Sequence, residues 1–209
     1  MRLLIIGATR GIGEQLLSQA LGAGHVVTVL ARDPAKIALT AENLIVHKGD
    51  IRDGTVVSAA VQDQEAVCVT IGVPITFKPV TLFSEGIVQV IDAMRQHRVQ
   101  RLICVTGIGA GNSKGHGGFL YDSIFKPLFL RSIYADKDIQ EQYVKESGLD
   151  WVIVRPAGLT DGACTKKYRI VTDLDGVTST RISRADVAHF IISELSEQKY
   201  TAKTPLLTY

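Results

Sequence analysis

The first thirteen residues contain the feature that most constrains the fold. Residues 3–6 are four consecutive large apolar residues, and the next seven include Gly7, Gly11 and Gly13. From residue 14 to residue 21, apolar side chains recur at helical spacing. A buried strand that runs through a glycine-rich turn into a helix predicts a βα unit, because glycine lets the backbone turn with a positive φ.

Strands and helices alternate along the rest of the chain. Strands are predicted at residues 25–31, 44–47, 66–71, 101–106, 151–154, 168–173 and 206–207. Helices are predicted at residues 55–61, 79–96, 134–146 and 183–195, with a short helix starting at Pro34 and with Thr55 as the N-cap of the helix that ends near residue 61. Such alternation builds right-handed βαβ units. The sequence therefore predicts an α/β fold, a Rossmann-type doubly wound parallel sheet in a single domain over residues 1–209.

The glycine turn also indicates what the fold binds. In a doubly wound sheet the ligand lies beyond the carboxyl ends of the strands, so we expect the loops after residues 6, 31, 71, 106 and 154 to meet in one cleft. The helix start presents free N–H groups and a positive dipole end to a diphosphate. The spacing G-x-x-x-G-x-G differs from the usual G-x-G-x-x-G, so the position between a strand and a helix carries the prediction of a dinucleotide. A tight turn that binds nothing is the alternative.

Charges at the end of the second strand bear on which dinucleotide binds. Arg32 follows this strand and Arg10 lies in the glycine turn, so two guanidiniums can hold the phosphate on the adenosine ribose. Asp33 favours the other interpretation, because an acid there can hold the ribose hydroxyls of NAD. We interpret Asp33 as the cap of the Pro34 helix and Lys36 as a surface residue. NADPH is therefore the predicted cofactor.

Composition argues against several other classes of protein. Hydrophobic residues make up 46% and charged residues 21%, and the net charge of +2 gives no basic surface for nucleic acid. No apolar run is long enough to span a bilayer, and neither the cysteines nor the histidines have metal-ligand spacing. We expect a cytoplasmic monomer or weak homodimer that acts on a small-molecule acceptor, without a metal, a nucleic acid or a membrane.

Several segments together resemble one family. They are residues 146–156 (ESGLDWVIVRP), residues 182–188 (ISRADVA), the turn at 7–9 (GAT), residues 28–33 (TVLARD) and residues 49–50 (GD). They resemble the atypical short-chain dehydrogenase/reductases. Within these, the chain is most similar, over essentially its whole length, to the NAD(P)H-binding group that contains biliverdin-IXβ reductase/flavin reductase.

The resemblance implies a set of residues that bind the cofactor. Around the diphosphate and adenosine these are Gly7, Thr9, Arg10, Gly11, Ile12 and Gly13; toward the ribose phosphate and adenine they are Arg32, Asp50 and Ile51; around the nicotinamide they are Ile71, Gly72, Thr106, Pro156, Ala157 and Gly158.

The resemblance also implies Thr106 and Lys137 as catalytic residues, with one departure. Carbonyl reductases of the wider superfamily use Tyr-x-x-x-Lys, in which the lysine lowers the tyrosine pKa for proton donation. Ile133 stands at the tyrosine position here, and Tyr134 is one residue out of register, a rotation of about 100 degrees on a helix. The flavin and biliverdin reductase type also lacks this tyrosine, which implies hydride transfer to an electron-poor conjugated ring and a proton from solvent.

Neither Thr106 nor Ser147 has an acid–base partner that the sequence identifies, so no nucleophilic triad is predicted.

The substrate side of the cleft is predicted after the fifth strand. Half of residues 107–118 are glycine and an apolar stretch follows, so we expect a lid around residues 107–131; a surface loop is the alternative. The predicted substrate contacts are Phe77, Lys78, Phe119 and Tyr121. Aromatic walls with nearby lysines favour a flat, anionic acceptor such as a flavin or a biliverdin-like tetrapyrrole, with a quinone as a further possibility.

Two other functions stay open on the sequence. Relatives of this kind include NADP-binding redox sensors that regulate a partner without catalysis, and such a role would make Thr106 and Lys137 dispensable. Sugar-nucleotide epimerisation has less support, because the tyrosine is out of register and the chain is short for the usual substrate domain.

Overall fold

The amino-terminal βα unit forms as the sequence predicts. In the computed structural model, which describes residues 1–113, 115, 130–177 and 179–209, strand β1 (Arg2–Ile6) runs through the glycine turn into helix α1 (Gly11–Gly22). The other strands are β2 (Val26–Ala31), β3 (Leu44–Lys48), β4 (Ala66–Val69), β5 (Arg101–Val105), β6 (Asp150–Pro156), β7 (Gly158–Thr160), β8 (Arg169–Val171), β9 (Arg181–Ser183) and β10 (Leu206–Thr208). The other α-helices are α2 (Gly54–Val61), α3 (Leu82–His97), α4 (Arg131–Lys145) and α5 (Arg184–Glu197), and short 3-10 helices span Pro34–Lys36 and Gly111–Ser113.

The described strands form one large sheet and one small one. The large sheet has the order β3-β2-β1-β4-β5-β6-β10-β8, and its strands are parallel except for the edge strand β8, which pairs antiparallel with β10. Strands β7 and β9 pair separately. The order reverses between β1 and β4, which is where a doubly wound sheet binds its ligand. The predicted α/β, Rossmann-type fold is confirmed.

Apolar side chains cover both faces of the large sheet. Along β1 the side chains alternate: Leu3 and Ile5 pack with α1 and α5 on one face, whereas Leu4 and Ile6 pack with α2 and α3 on the other. This two-sided burial explains why the strands are nearly continuous apolar runs in the sequence. The described residues form a single α/β domain around these two cores.

The described α-helices begin within three residues of their predicted starts. Helices α1 and α4 each begin three residues earlier than predicted, at Gly11 and Arg131. Helix α2 is capped by Asp53 rather than Thr55, since the Asp53 carboxylate accepts hydrogen bonds from the backbone N–H groups of Thr55 and Val56 at 3.0 and 3.3 Å. Helix α3 begins at Leu82, three residues later than predicted, and strand β4 ends at Val69, two residues earlier. Residues 70–81 are therefore a loop, which leaves the cleft side of β4 open.

The cap of helix α3 comes from another helix. Asp136 of α4 is buried, and its carboxylate accepts hydrogen bonds from the backbone N–H groups of Phe83 at 2.7 Å and Ser84 at 3.3 Å. This contact joins the start of α3 to the first half of α4, which also carries Lys137.

We predict that Asp136→Ala lowers the free energy of unfolding by about 2 kcal/mol, because it removes a helix cap and leaves buried donors without an acceptor. Urea unfolding followed by circular dichroism measures the loss. Asp92→Ala, an exposed position on the same helix α3, is the control and should change stability by less than about 0.5 kcal/mol. Equal, small effects of the two substitutions would contradict the capping role.

Among the described residues, no helix has the length and apolar character that crossing a bilayer requires.

Candidate functional site

An open cleft with a volume of about 1160 Å³ lies at the carboxyl ends of the parallel strands. Its walls come from the loops after β1, β2, β4, β5 and β6, which the sequence predicts to converge, and also from the loop after β3. The cleft is lined by most of the residues predicted to bind the cofactor: Gly7, Thr9, Arg10, Gly11, Ile12, Arg32, Asp50, Ile51, Ile71, Gly72, Thr106 and Pro156.

The glycine turn leaves the start of helix α1 open to this cleft. Gly7 has a φ of +103°, and a side chain there would approach the backbone nitrogen of Ile71 to 2.8 Å, so only glycine fits. Gly11, the first residue of α1, has a φ of +65°. The N-cap residue Arg10 makes no capping side-chain hydrogen bond in the described structure, so the first N–H groups of α1 are available to an anion.

Gly13 has a packing role. It does not belong to the described lining of the cleft, and a Cβ at this position would collide with the carbonyl oxygen of Gly7 and with the hydroxyl of Thr70. Gly13 therefore allows helix α1 to lie close to the turn that precedes it.

Acidic and basic groups meet where the adenosine is predicted to bind. Arg52 holds the Asp50 carboxylate through two guanidinium hydrogen bonds of 3.0 Å each, and these lower the pKa of Asp50 to about 2. Ile51 lies beside it, buried against Gly86 of α3, where any larger residue would meet the Ile51 side chain. Asp50 is thus an ionised acceptor at neutral pH, next to an apolar surface.

The end of β2 differs from the sequence interpretation in two respects. Both Asp33 and Lys36 line the cleft, with Lys36 Nζ 3.4 Å from Asp33 Oδ2. Asp33 takes the N-cap position of the Pro34–Lys36 helix, but within the described structure its side chain caps no N–H group. Arg10 donates a hydrogen bond of 3.4 Å to the Gly72 carbonyl. Its guanidinium therefore contacts the loop after β4, whereas the sequence predicts that it holds the ribose phosphate together with Arg32. The predicted capping role of the Asp33 side chain is therefore wrong, whereas Lys36 is a surface residue as predicted, with 69% of its side chain exposed.

Thr106 and Lys137 meet at the other end of the cleft, after β5. The Thr106 hydroxyl donates a hydrogen bond of 2.8 Å to Glu141 Oε1. The ammonium of Lys137 donates to the Thr106 carbonyl and lies 5.2 Å from the centre of the Phe83 ring. Burial lowers the pKa of Lys137 to about 8, against the opposing influence of Cys104 and Glu141.

Glu141 is the acid partner of Thr106 that the sequence did not identify. It is 1% exposed and forms an ion pair with Arg155, which is fully buried; Arg155 Nε and Nη2 lie 2.9 and 2.5 Å from its carboxylate oxygens. Because the carboxylate takes the single hydroxyl proton of Thr106, the Thr106 oxygen can offer only lone pairs to a ligand in the cleft. Thr106 is therefore a hydrogen-bond acceptor in this arrangement.

The same ion pair orders the start of the glycine-rich stretch. Gly111 has a φ of +53°, and a side chain there would collide with Arg155 and Glu141. Arg155 donates a 2.5 Å hydrogen bond to the Asn112 side chain. Residues 111–113 form a short 3-10 helix within this stretch. Most of the predicted lid at 107–131, including the predicted substrate contacts Phe119 and Tyr121, lies outside the described residues.

Tyr134 lies closer to Lys137 than its register suggests. Its side chain is buried with Ile133 and Phe83, and the Lys137 ammonium lies 5.6 Å from the centre of its ring. A Cβ placed on Gly107 would be 3.0 Å from the Tyr134 hydroxyl and 3.9 Å from Lys137 Nζ. Within the described part of the chain, Tyr134 does not line the cleft.

Four other predicted site residues lie outside the described lining of the cleft. Ala157 is buried and its N–H donates to the Leu207 carbonyl, which joins β6 to β10; Gly158 opens β7 and is exposed. Phe77 is 79% exposed on the loop after β4, and Lys78 follows it. From the same loop, the residues that do line the cleft beyond Gly72 are Val73, Pro74 and Ile75.

Sequence reasoning missed two charged residues of the cleft, Arg184 and Asp161. They form an ion pair of 2.6 Å. Arg184 belongs to segment 182–188, which carries the family resemblance. A positive charge within that segment was the signal that could have identified it as a residue of the cleft. Among the described residues, no three histidine, cysteine, aspartate or glutamate side chains are grouped to hold a metal ion.

Comparison with known proteins gives a family for this architecture. A family model described as NAD(P)H-binding matches residues 7–198. Among solved structures, ChuY of Escherichia coli O157:H7, described as an anaerobilin reductase, is 25% identical and superimposes with a TM-score of 0.78 over 100% of this chain and 97% of its own.

Two curated relatives have names that point to different functions. YhfK of Bacillus subtilis, an uncharacterised sugar epimerase by name, is 26% identical over 95% of this chain and 89% of its own length. The photosystem II assembly factor Ycf39 of Synechocystis is 23% identical over 98% of this chain and 61% of its own length.

Proposed function

The chain belongs to the NAD(P)H-binding family, within the atypical short-chain dehydrogenase/reductases, and on that premise we propose that it is an NADPH-dependent reductase that transfers hydride to a flat conjugated acceptor. A flavin, a biliverdin-like tetrapyrrole or a quinone would suit. The observation that carries the proposal is the position of Thr106 and Lys137 at one end of a cleft whose other parts suit a dinucleotide. The likeness to ChuY, a reductase by description, supports it.

The cleft fits the dinucleotide on two physical grounds. The absence of side chains at Gly7 and Gly11 keeps the start of helix α1 open, so backbone N–H groups would hold the diphosphate. The buried side chain of Ile51 would lie against adenine, and the Asp50 carboxylate beside it would accept a hydrogen bond from an amine.

Charges at the end of β2 favour the phosphorylated cofactor. Arg32 and Lys36 both line the cleft there, and the ammonium of Lys36 lies near the Asp33 carboxylate, which offsets the repulsion between this acid and a phosphate. Two cations facing one ribose phosphate favour NADPH over NADH.

The residues after β5 would position and polarise the acceptor. NADPH supplies a hydride when it is bound. The Thr106 oxygen would accept a hydrogen bond from an N–H or O–H group, because Glu141 takes its proton. The Lys137 ammonium would stabilise the negative charge that develops on the acceptor as hydride arrives. With Ile133 at the usual tyrosine position, the balancing proton would come from solvent.

The proposal is tested by following NADPH oxidation with FMN, riboflavin, biliverdin and a quinone as separate acceptors. We expect turnover with at least one of them, and Lys137→Met should lower kcat/KM for that acceptor about 10- to 100-fold, the range for one charged contact. Lys203→Met, at the opposite end of the sheet, is the matched control and should leave the rate unchanged. Bound NADPH without oxidation by any acceptor would contradict the reductase assignment.

The pH dependence of the rate follows from Lys137. Its lowered pKa means that the ammonium is charged below about pH 8 and neutral above it. We expect kcat/KM for an anionic acceptor to fall as the pH rises through this value, since this parameter reports on the free enzyme. The Lys137→Met variant should lack this step in a pH–rate profile. A wild-type profile that stays level through pH 8 would contradict a role for the charge.

A non-catalytic NADP(H) sensor is the second candidate, and the name of Ycf39, an assembly factor, is the observation that favours it. In this role NADPH and NADP⁺ would change the affinity for a partner protein. The acceptor assay separates the two functions, because a sensor would bind both forms of the cofactor without oxidising NADPH and would tolerate Lys137→Met.

A further inference from the structure

Arg184 and Asp161 form an ion pair at the diphosphate end of the cleft. Arg184 Nη1 lies 2.6 Å from Asp161 Oδ1, and both residues line the cleft with Gly11 and Arg10. The Asp161 side chain is 90% exposed, whereas that of Arg184 is only 29% exposed. The pair therefore consists of a sheltered cation and an anion that faces solvent.

The Arg184 side chain lies against the first residue of helix α1. Its Nε and Cδ atoms are 3.6 and 3.7 Å from the position that a Cβ on Gly11 would occupy. A Cβ at residue 11 would be in ordinary van der Waals contact with these atoms, so the Arg184 side chain lies beside the first turn of α1 and leaves the helix start open. Arg184 adds a formal positive charge to the positive end of the helix dipole.

Neighbouring contacts hold the backbone of Arg184 in this position. Ser183 caps α5 by accepting a hydrogen bond of 2.9 Å from the N–H of Asp186, and the Gln19 side chain of α1 donates a 2.9 Å hydrogen bond to the Ala185 carbonyl. These bonds fix the start of α5 beside α1. The Arg184 backbone is thus held in place, while its guanidinium can exchange partners at the edge of the cleft.

We infer that Arg184 is a ligand of the dinucleotide's diphosphate and that Asp161 competes with the cofactor for its guanidinium. A diphosphate carries more charge than one carboxylate and would also receive the N–H groups of α1, so it replaces Asp161. An ion pair with so exposed a partner is weak, which makes the exchange easy. Asp161 therefore lowers the affinity for every form of the cofactor.

This inference rests on dinucleotide binding and not on the reductase reaction. It is tested by titrating the purified full chain with NADPH and NADH, in the absence of any acceptor, by calorimetry. Failure to find an acceptor would contradict the reductase reaction but would not change the measured cofactor affinities. The two proposals can therefore be overturned independently.

Arg184→Gln should weaken NADPH and NADH by a similar factor, about 10-fold or more, because both cofactors contain the diphosphate. Asp161→Asn should tighten both about 2- to 5-fold, since it frees the guanidinium from a weak pair. The double variant should bind as Arg184→Gln does, because Asp161 acts only through Arg184. Arg181→Gln, at the exposed first residue of strand β9, is the matched control and should bind as the wild type does.

Three results would overturn the inference. One is weaker binding of the cofactors by the Asp161→Asn variant. Because the Asp161 side chain is 90% exposed, this substitution should not impair folding, so such a loss could not be attributed to misfolding. Another is an effect of Asp161→Asn that persists in the Arg184→Gln background. The third is a loss by Arg184→Gln that is large for NADPH and absent for NADH, which would place the guanidinium at the ribose phosphate.

Discussion

Arg32→Asp is expected to weaken NADPH binding at least about 100-fold and to change NADH binding by less than about 3-fold. The substitution removes a charge-assisted hydrogen bond to the ribose phosphate, worth about 1.5–3 kcal/mol, and places a carboxylate there instead. The new acid would lie beside Asp33, so that two like charges face the phosphate. Calorimetric titration of both cofactors against the same preparation measures the ratio of affinities.

NADH serves as the internal control for this substitution, because it lacks only the ribose phosphate. Lys36→Ala should produce a smaller loss of NADPH affinity, about 10-fold, since Lys36 is also engaged with Asp33. Equal weakening of NADPH and NADH by Arg32→Asp would contradict a phosphate site at the end of β2 and would favour NAD as the cofactor.

Arg155→Met is expected to lower the free energy of unfolding by about 3 kcal/mol, because it removes the buried partner of the Glu141 carboxylate and leaves only the partly exposed ammonium of Lys145, 3.4 Å away. Arg155 is fully buried and also donates to Asn112, so the loop after β5 loses its support in the same step. The Thr106 hydroxyl would then be held by a carboxylate that no longer has a fixed position. Urea unfolding measures the loss of stability, and the acceptor assay measures the effect on the site.

A second substitution distinguishes the ion pair from a loss of packing. Replacing both partners, with Arg155→Met and Glu141→Leu together, should recover most of the stability, because no buried charge is left unpaired. Activity should stay low, since Thr106 would lose the acceptor that orients its hydroxyl. Lys199→Met breaks the exposed pair with Glu197 and should leave the urea midpoint unchanged. A double variant as unstable as Arg155→Met alone would contradict the explanation.

The fold could be predicted from local patterns because its signals lie close together in the sequence. The apolar strand, Gly7 and helix α1 are adjacent in the chain, and each glycine has a local reason: a positive φ at Gly7 and close packing at Gly13. The burial of both faces of the sheet produces apolar runs that mark the strands directly. The predicted ends of helices and strands are less accurate where a residue distant in the sequence determines them. The start of α3 is an example, because Asp136 of α4 accepts a hydrogen bond from the N–H of Phe83 there.

The catalytic end of the site could be predicted only in part. Thr106 and Lys137 were identified through the family resemblance, but the Glu141 and Arg155 partners of Thr106 come from α4 and β6, and no local pattern joins them. Arg184 was missed for the same reason, since its relation to Gly11 exists only after α5 packs against α1. Tertiary partners of this kind require the packed structure.

The most direct test of the proposed reaction follows deuterium from C4 of the NADPH nicotinamide. Two preparations, each labelled on one face of C4, are mixed with the protein and with an acceptor that supports turnover, and the NADP⁺ product is analysed by mass spectrometry for deuterium that remains at C4. We expect one preparation to give unlabelled NADP⁺ with slowed turnover, and the other to give NADP⁺ that keeps its deuterium, at the normal rate. Loss of deuterium from both preparations equally, or tight binding of NADPH with no oxidation by any acceptor, would contradict direct hydride transfer in this cleft.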